Sequence, residues 1–403
     1  MHNPCKNEVN LRIILSKPPI ELFLYPDGFL SFGAKSCTSK QMLKRYLIVL
    51  LILCPLITFS QERSYTISLK PEDWGIRSGA FYICGVDDKR HDTKSNGKIL
   101  MEGSKNPVDV VFEEDIQKSL LSWISNCMPA DTSKIPIWIA IDDFKFKDPG
   151  TAIKHTLSLD FKIHFYRILE GQEIDLFQTS GTPQMQARGF PKSMPETILR
   201  QTFKSLFQSF NDWVNQNPGQ VALCKNISVE FVRMDASEKE SKKDTIRWTS
   251  EYRLNWDDFK SSPDKSSPFS AQSHCLFDYK GVPTFRDQTM ILQISIFACF
   301  AKKESWVHPD KKEAPLLTHE QLHFDICELF VRKLRKKISE TPLSLLNSDN
   351  QIKALFEEAW KAYQVNQNLY DEETEHGLIE AAQKKWINNV NEELNGLAEF
   401  SRD

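Results

Sequence analysis

The chain has 403 residues, of which 40% are hydrophobic and 26% are charged, and these fractions are those of a globular protein with a substantial core. Lysine and arginine total 51 against 54 aspartate and glutamate residues, so the formal net charge is −3. This balance excludes a broadly basic protein that binds nucleic acid through its overall charge, and no nucleic-acid partner is expected.

An apolar stretch with a basic start lies near the N-terminus. The segment MLKRYLIVLLILCPLITFSQE begins at Met42, carries Lys44 and Arg45 before the apolar run, and ends with small residues. This pattern predicts a secretory signal peptide over residues 42–60, since the run is short for a membrane-spanning helix. We therefore interpret residues 1–41 as a mis-assigned extension and expect a periplasmic or secreted protein; the alternative is an uncleaved anchor.

Six cysteines follow this segment, and their spacing shows no CxxC or other metal-binding pattern. Outside the cytoplasm, one or two disulfides could form between them. Buried free thiols are the slightly favoured interpretation.

Residues 61–233 mix strand-like and helix-like segments. IPIWIAIDDFKF and LSLDFKIHFYRIL are rich in β-branched and aromatic residues, as strands are. PETILRQTFKSLFQSFNDWVN carries apolar residues at helical spacing, which predicts a helix with a buried aromatic stripe. The region therefore predicts a small α/β accessory domain, a candidate contact for a cell-envelope partner. The charged, serine- and lysine-rich residues 234–245 predict a linker after it.

Residues 246–403 begin with strand-like segments such as QTMILQISIFACF and turn helical from Ala314. Within the first helical segment, His319 and His323 stand four residues apart with Glu320 between them, in the sequence HEQLH. At that spacing both rings project from one helix face, so two imidazole nitrogens can reach one Zn²⁺ at about 2.0–2.1 Å. Glu320 projects about 100° around the helix, where it can take a proton from an attacking water. The alternative is two histidines on one face of an ordinary helix.

A catalytic zinc needs a third protein ligand. The segment LYDEETEHGLIEAAQKKW returns after one intervening helix, and His376 is its best candidate because imidazole is a common zinc donor. Asp371 and Glu375 are the alternatives, and either one as a fourth ligand would indicate a closed structural site. Tyr370 is a candidate donor of a hydrogen bond to the oxyanion. Without a metal, this segment would be a solvated turn with a surface histidine.

The segments LNWDDF, HEQLHFDICE and YDEETEHG, in this order, resemble the motifs of a bacterial family of uncharacterised domains described as secreted zinc-dependent proteases. The resemblance covers about residues 251–386. It implies that the three histidines are the zinc ligands and Glu320 the base. It also implies a zincin-like metallopeptidase domain over residues 246–403, with a short β-sheet and a helical active-site half, so the expected fold class is α+β.

Together these features predict an exported zinc metallopeptidase that acts on peptides or proteins. One alternative is a non-catalytic exported binding protein with a structural or vestigial metal site. Another is a zinc amidase that acts on cell-envelope material, because the sequence does not separate peptides from other amides.

Overall fold

The computed structural model describes residues 64–101, 106–151, 154–190, 192–233 and 244–401. The proposed extension and signal peptide lie outside these residues, and so does most of the proposed linker. The described residues form both helices and sheets, which confirms the α+β class. Among them, no helix combines the length and apolar character that crossing a membrane requires.

The strands of the described residues are β1 (Tyr65–Ile67), β2 (Phe81–Asp88), β3 (Gly97–Ile99), β4 (Val108–Phe112), β5 (Ile135–Lys147), β6 (Lys154–Leu169), β7 (Gln172–Gly181), β8 (Gln184–Arg188), β9 (Asn226–Phe231), β10 (Thr245–Arg247), β11 (Ala271–Gln272), β12 (Cys275–Arg286), β13 (Thr289–Ala301) and β14 (Trp306–Val307). The α-helices are α1 (Ile116–Cys127), α2 (Met194–Gln216), α3 (Ala314–Glu340), α4 (Ser348–Thr374) and α5 (Glu380–Gly396). Short 3₁₀ helices lie at Val221–Leu223, Trp256–Asp258, Pro309–Lys311 and Ala398–Phe400.

Strands β1 to β8 form the larger sheet, in the order β1-β4-β3-β5-β6-β7, with β2 also pairing with β5 and β8 with β6. Burial alternates along the first half of β5, as its sequence pattern predicted. The predicted aromatic stripe of α2 packs on this sheet: the rings of Phe165 in β6 and Phe210 in α2 stack with centroids 4.0 Å apart. Burying a phenylalanine contributes about 1.5–3 kcal/mol relative to leaving it exposed, so this stripe stabilises the core.

The smaller sheet contains β9, β10, β12 and β13, and α3 packs on it. The rings of Phe300 in β13 and Phe324 in α3 lie 6.0 Å apart within this second core. β9 pairs in parallel with β13, with Ile227 opposite Met290. Because β9 precedes the charged segment in the chain, the second core takes in a strand that the sequence assigned to the accessory domain.

Three elements near the second core surround a cleft. α3 packs against both α4 and α5. β11 pairs with β14 in antiparallel fashion, with Gln272 opposite Trp306. β11 also runs beside α3, where the Ser273 Oγ lies 3.5 Å from the Glu320 carbonyl oxygen. The cleft is therefore bordered by α3, the end of α4 and the edge of β11.

The six cysteines of the described residues are free thiols, and all except Cys84 are buried. This agrees with the interpretation that the sequence slightly favoured.

Candidate metal centre

The two histidines of the HEQLH sequence lie on the face of α3 that packs against α4. Pro315 stands in the first turn of this helix, where its missing N–H costs nothing. One helical turn separates the two rings, and the Nε2 atoms of His319 and His323 lie 3.1 Å apart. Two nitrogens that bind one tetrahedral zinc ion lie about 3.4 Å apart, so these rings need little adjustment to share a metal.

The turn after α4 brings the third predicted ligand to this face. Glu375, His376 and Gly377 have φ angles of 46°, 56° and 87°, all in the left-handed region. That region costs a non-glycine residue about 1–2 kcal/mol. The His376 N–H donates to the Asp371 carbonyl oxygen at 2.9 Å, which ties the turn to the last turn of α4. The chain thus holds His376 in a strained conformation that directs it towards α3.

Gly377 allows this turn to approach α3 closely. A Cβ atom at residue 377 would lie 3.0 Å from His319 Cβ and 3.1 Å from His319 Cγ. Such contacts are too short for ordinary packing, and the φ angle also favours glycine. The glycine of the YDEETEHG segment therefore has a steric reason to stand next to His376.

Asp371 lies at the centre of the group. Its Oδ1 atom is 3.1 Å from His319 Nε2, 3.0 Å from His323 Nε2 and 3.5 Å from His376 Nδ1. The ligand atoms of His319, Asp371 and His376 all lie within 4.8 Å of one another. The structure thus brings together the three predicted histidines and one of the two alternative carboxylates. The other, Glu375, lines the same cleft.

Two glutamines fix the tautomers of the helical histidines. The Nδ1 atom of His319 lies 3.2 Å from Gln383 Oε1, and His323 Nδ1 is hydrogen-bonded to Gln367 Oε1. Gln367 also donates from Nε2 to the His323 carbonyl oxygen at 2.9 Å. Because an amide oxygen can only accept, each Nδ1 carries a proton, and a ring with no second proton directs its Nε2 lone pair towards Asp371.

In this arrangement, atoms that can accept hydrogen bonds face one another with no donor from the described residues between them. Two imidazole lone pairs and a carboxylate oxygen face one another at 3.0 to 3.1 Å. Such a set is stable only with positive charge between its atoms, supplied by a proton or by a metal ion. Imidazole nitrogens with a carboxylate oxygen are donors that zinc accepts.

The pKa values of His323 and Asp371 reflect this demand for positive charge. Burial is the largest influence and opposes ionisation of both groups. For His323, the hydrogen bond to Asp371 and the charge of Glu320 outweigh burial and raise the pKa above its usual 6.5. For Asp371, burial raises the pKa, but the interactions of its carboxylate with His319 and His323 outweigh burial and hold the pKa below its usual 3.8. The raised pKa of His323 therefore favours a second proton on this ring, at Nε2, when no metal is bound.

Glu320 borders the same cleft in an environment that suits a proton acceptor. Its side chain is buried, and its Oε2 atom has no hydrogen-bond partner among the described residues. Leaving a buried carboxylate oxygen unpaired costs free energy unless a partner arrives from outside the chain. Because Glu320 lines the cleft together with His319 and His323, a hydrogen-bond donor that enters the cleft can provide that partner.

Tyr370 lies buried beside His319. Its side chain is fully buried, and burial raises the pKa of its hydroxyl. The hydroxyl donates to Gln383 Oε1 at 2.8 Å and lies 3.2 Å from the His319 carbonyl oxygen. Its ring also stacks on His319, with centroids 4.7 Å apart. In this structure Tyr370 packs against His319 and restricts its ring. The predicted role of Tyr370 at the oxyanion stays a prediction.

The LNWDDF segment supports α3 from the opposite side. The Leu254 N–H donates to Gln321 Oε1 at 2.7 Å. Asp325 accepts from Trp248 Nε1 at 2.7 Å and pairs with Arg253 at 3.1 Å. These contacts fix the helix rotation that directs both histidines at the cleft.

The sequence did not single out Gln367 or Gln383. Gln367 precedes Asp371 by four residues and so shares its face of α4, a spacing that could have indicated it. Gln383 carries no such signal, because only the packing of α5 against α3 brings it to His319.

The centre opens into a cleft of about 1010 Å³. Its walls come from the segment around β11, the start of α3, and the end of α4 with the turn that follows. The lining residues include Phe269, Ser273, Leu316, Gln367 and Leu378. A cleft of this size can take several residues of an extended polymer.

Comparison with known proteins finds that part of this region is similar to an uncharacterised family. Residues 297–377 match the family described as bacterial protein of unknown function (DUF922). This match confirms the coarser part of the resemblance, an uncharacterised bacterial domain family over the HEQLH helix and the YDEETEHG turn. No curated protein matches the chain. A solved structure described as "Crystal structure of uncharacterized protein" is 10% identical, covering 38% of this chain and 97% of that one, with a TM-score of 0.18, which is too low to assign a fold.

Proposed function

We propose that this protein is a zinc-dependent hydrolase that cleaves peptide bonds. The observation that carries the proposal is the set of facing acceptors on His319, His323 and Asp371, next to a buried Glu320 with an unpaired oxygen. The facing Nε2 and Oδ1 atoms would be stabilised by a cation between them, and the unpaired oxygen of Glu320 would be stabilised by a hydrogen-bond donor from outside the chain. A hydrolytic metal centre needs both features at one place.

Four residues would hold the metal: His319, His323, His376 and Asp371. When bound, zinc supplies Lewis acidity, which makes water a better nucleophile near neutral pH. Gln367 and Gln383 orient the two helical rings so that each offers Nε2. Because a histidine binds metal only through an unprotonated nitrogen, zinc bound to His323 would take the place of any proton on Nε2.

Glu320 would act as the general base. Its carboxylate accepts a proton from the water that attacks the peptide carbonyl and returns this proton to the leaving amine. Burial in the cleft wall strengthens its interaction with that water, since few other dipoles compete for it.

An open strand edge supports a peptide as the substrate. The Ser270 carbonyl oxygen accepts from the His308 N–H at 2.9 Å, so its backbone faces the chain of β14. Because backbone groups alternate along a strand, those of Ala271 and Ser273 point away from β14. Both residues line the cleft, where an extended peptide could pair with them.

A second candidate is a structural metal centre without catalysis. Asp371 Oδ1 supports it, because a fourth protein ligand closes many structural zinc sites. In that case Glu320 would have no proton to accept, and its replacement would change neither metal content nor any activity.

Metal content and peptide hydrolysis, measured on the chain from residue 61 onward, test the proposal. We expect about one zinc per chain in wild type and in Glu320→Gln, with a clear loss in His376→Ala. Glu320→Gln should also lower peptide hydrolysis by about 10²–10⁴-fold, the usual contribution of a general base. Zinc without hydrolysis would favour the structural centre. Wild-type protein that binds no zinc after reconstitution would overturn both candidates.

We also propose that the protein is exported from the cytoplasm. The basic and apolar pattern over residues 42–60 supports a periplasmic or secreted location, and the larger sheet would be the contact for a cell-envelope partner. Mass spectrometry of the N-terminus of protein recovered outside the cytoplasm tests this, and an intact segment on cytoplasmic protein would contradict it.

A further inference from the structure

Two large apolar side chains stand exposed on the rim of the cleft. Leu378 is 82% exposed and Phe269 is 43% exposed, and both line the cleft. They come from different parts of the chain, the turn after α4 and the segment before β11. Scattered exposed apolar residues are ordinary, but two that line the same cleft indicate a surface for a ligand.

These side chains lie directly beside the metal donors. The ring of Phe269 contacts the ring of His376, with centroids 4.5 Å apart. Leu378 follows His376 by two residues, within the same turn. A group bound against Phe269 and Leu378 is therefore within one side-chain length of the reacting centre.

The position of Leu378 is fixed by the backbone. Its N–H donates to the Glu375 carbonyl oxygen at 3.3 Å, and the next N–H, of Ile379, donates to the Thr374 carbonyl oxygen at 2.9 Å. The turn thus holds Leu378 outward. Across the cleft, the partly buried Leu316 of α3 adds apolar surface to the same lining.

Charges in the cleft favour an uncharged or basic group over an acidic one. Its described lining residues include four acidic side chains and a single lysine, Lys311; the acidic ones are Glu313, Glu320, Asp371 and Glu375. A bound zinc ion would add two positive charges at the donors. The rim around Leu378 would still carry the negative charge of Glu375, three residues earlier in the same turn. An acidic side chain at this rim would meet like charge.

We propose that Phe269, Leu316 and Leu378 form a subsite that takes a bulky apolar side chain, such as leucine or phenylalanine, next to the cleaved bond. The inference rests on the proposed peptide hydrolysis and assigns the specificity of that site. Burial of the substrate's apolar side chain against these residues removes it from water. This binding positions the neighbouring peptide bond at the metal donors.

Cleavage of a mixed peptide library, with sites mapped by mass spectrometry, is the first test. We expect leucine and phenylalanine to be enriched at one position beside the cleaved bond. Leu378→Ser should reduce kcat/KM for a leucine peptide about 10-fold relative to the matching alanine peptide, because a few methylene contacts contribute about 10- to 200-fold. Val282→Ser is the matched control, since Val282 is 60% exposed on β12, outside the cleft lining.

A binding measurement separates this inference from the proposed hydrolysis. Zinc-loaded Glu320→Gln protein is titrated with Ac-Ala-Ala-Leu-Ala-Ala-NH₂ and with the same peptide carrying a central aspartate, while the methyl signals of Leu378 are followed by NMR. Preferential binding of the leucine peptide with shifts at Leu378 supports the subsite even if wild type hydrolyses nothing. Equal binding of both peptides, binding without shifts at Leu378, no binding, or cleavage without apolar preference overturns it.

Discussion

Gly377 packs closely against the side chain of His319, and it can do so only because glycine has no Cβ atom. A Cβ atom at residue 377 would lie 3.0 Å from His319 Cβ, and the φ angle of Gly377 is 87°. The glycine thus sets the distance between the turn that carries His376 and the helix that carries the other two histidines. The geometry of the metal centre depends on this contact.

Replacing this glycine should therefore damage the centre. We expect Gly377→Ala to lower the free energy of unfolding by about 1–3 kcal/mol, from backbone strain and the contact with His319. Zinc affinity should fall as well, because the turn must move away from α3. Denaturant titration and zinc competition measure the two effects. Gly171→Ala is the control: its φ angle is 81°, and no atom lies within 4 Å of the added Cβ. It should lose stability and keep its zinc affinity; equal zinc loss in both would contradict the contact argument.

The glutamine contacts predict a loss of metal affinity without a loss of ligands. Gln367→Leu and Gln383→Leu each remove the acceptor of an Nδ1–H, so the ring can rotate and change tautomer. Zinc affinity should fall about 10- to 100-fold in each, the usual effect of losing a group that orients a ligand. Gln→Glu variants should recover most of it, because a carboxylate also accepts.

Gln364→Leu, on the same helix and cleft wall, is the control and should keep its affinity. Histidine nitrogen chemical shifts in the metal-free protein report the tautomers directly. Wild-type rings that protonate Nε2 in place of Nδ1 would refute this account of the glutamines.

Two buried glutamates on α3 should respond oppositely to removal of their charge. Glu320 and Glu328 are each 3% exposed, but Glu328 pairs with Arg332 at 2.9 Å whereas Glu320 Oε2 has no partner among the described residues. Glu320→Gln should keep or raise the free energy of unfolding of the metal-free protein, because it removes an unsatisfied buried charge. Glu328→Gln should lower it by about 3–5 kcal/mol, because it leaves Arg332 uncompensated. Denaturant unfolding with a chelator present measures both, and equal destabilisation would contradict a functional role for the unpaired oxygen.

The pairing of Asp371 with His323 predicts a pH window for the stability of the metal-free protein. The lowered pKa of Asp371 adds stability that is full above its usual 3.8 and disappears as pH falls through the lower folded value. The raised pKa of His323 adds stability that is full below its usual 6.5 and disappears as pH rises through the higher folded value. Both contributions are therefore complete between these two values.

Asp371→Asn should accordingly destabilise the chelator-treated protein most within that window, and less at higher and lower pH. Unfolding curves of both proteins from acid to mildly alkaline pH check this. A difference that does not change with pH would contradict the pairing. The control is Asp115→Asn, at the exposed N-cap of α1, which should show no loss of its effect above neutral pH because no histidine accompanies its contact with Lys118.

Local patterns predicted what depends on local geometry. The four-residue spacing of His319 and His323 puts both rings on one helix face whatever surrounds the helix, because the helical period decides it. The aromatic stripe of α2 and the buried half of β5 followed from the same kind of periodicity. The α+β class followed from segments that were individually strand-like or helix-like.

Other features were decided by distances across the fold. The sequence left Asp371 as an alternative to His376, whereas the packing of α4 on α3 brings both to the same place. The sequence predicted a role for the Tyr370 hydroxyl at the oxyanion, and that role stays a prediction; the contact of this hydroxyl with Gln383 is visible only in the structure. Neither glutamine belongs to a motif, since an amide orients a histidine only when tertiary packing places it there.

The helical spacing of His319, Glu320 and His323 made them candidate donors and a candidate base from the sequence, because side-chain chemistry and helix period are local properties. The tertiary structure alone decided which donors meet, which tautomers they adopt and which side chains form the rim of the cleft. The physical reason is that a metal ion and a substrate respond to positions within a few ångströms, and contacts between distant segments set those positions.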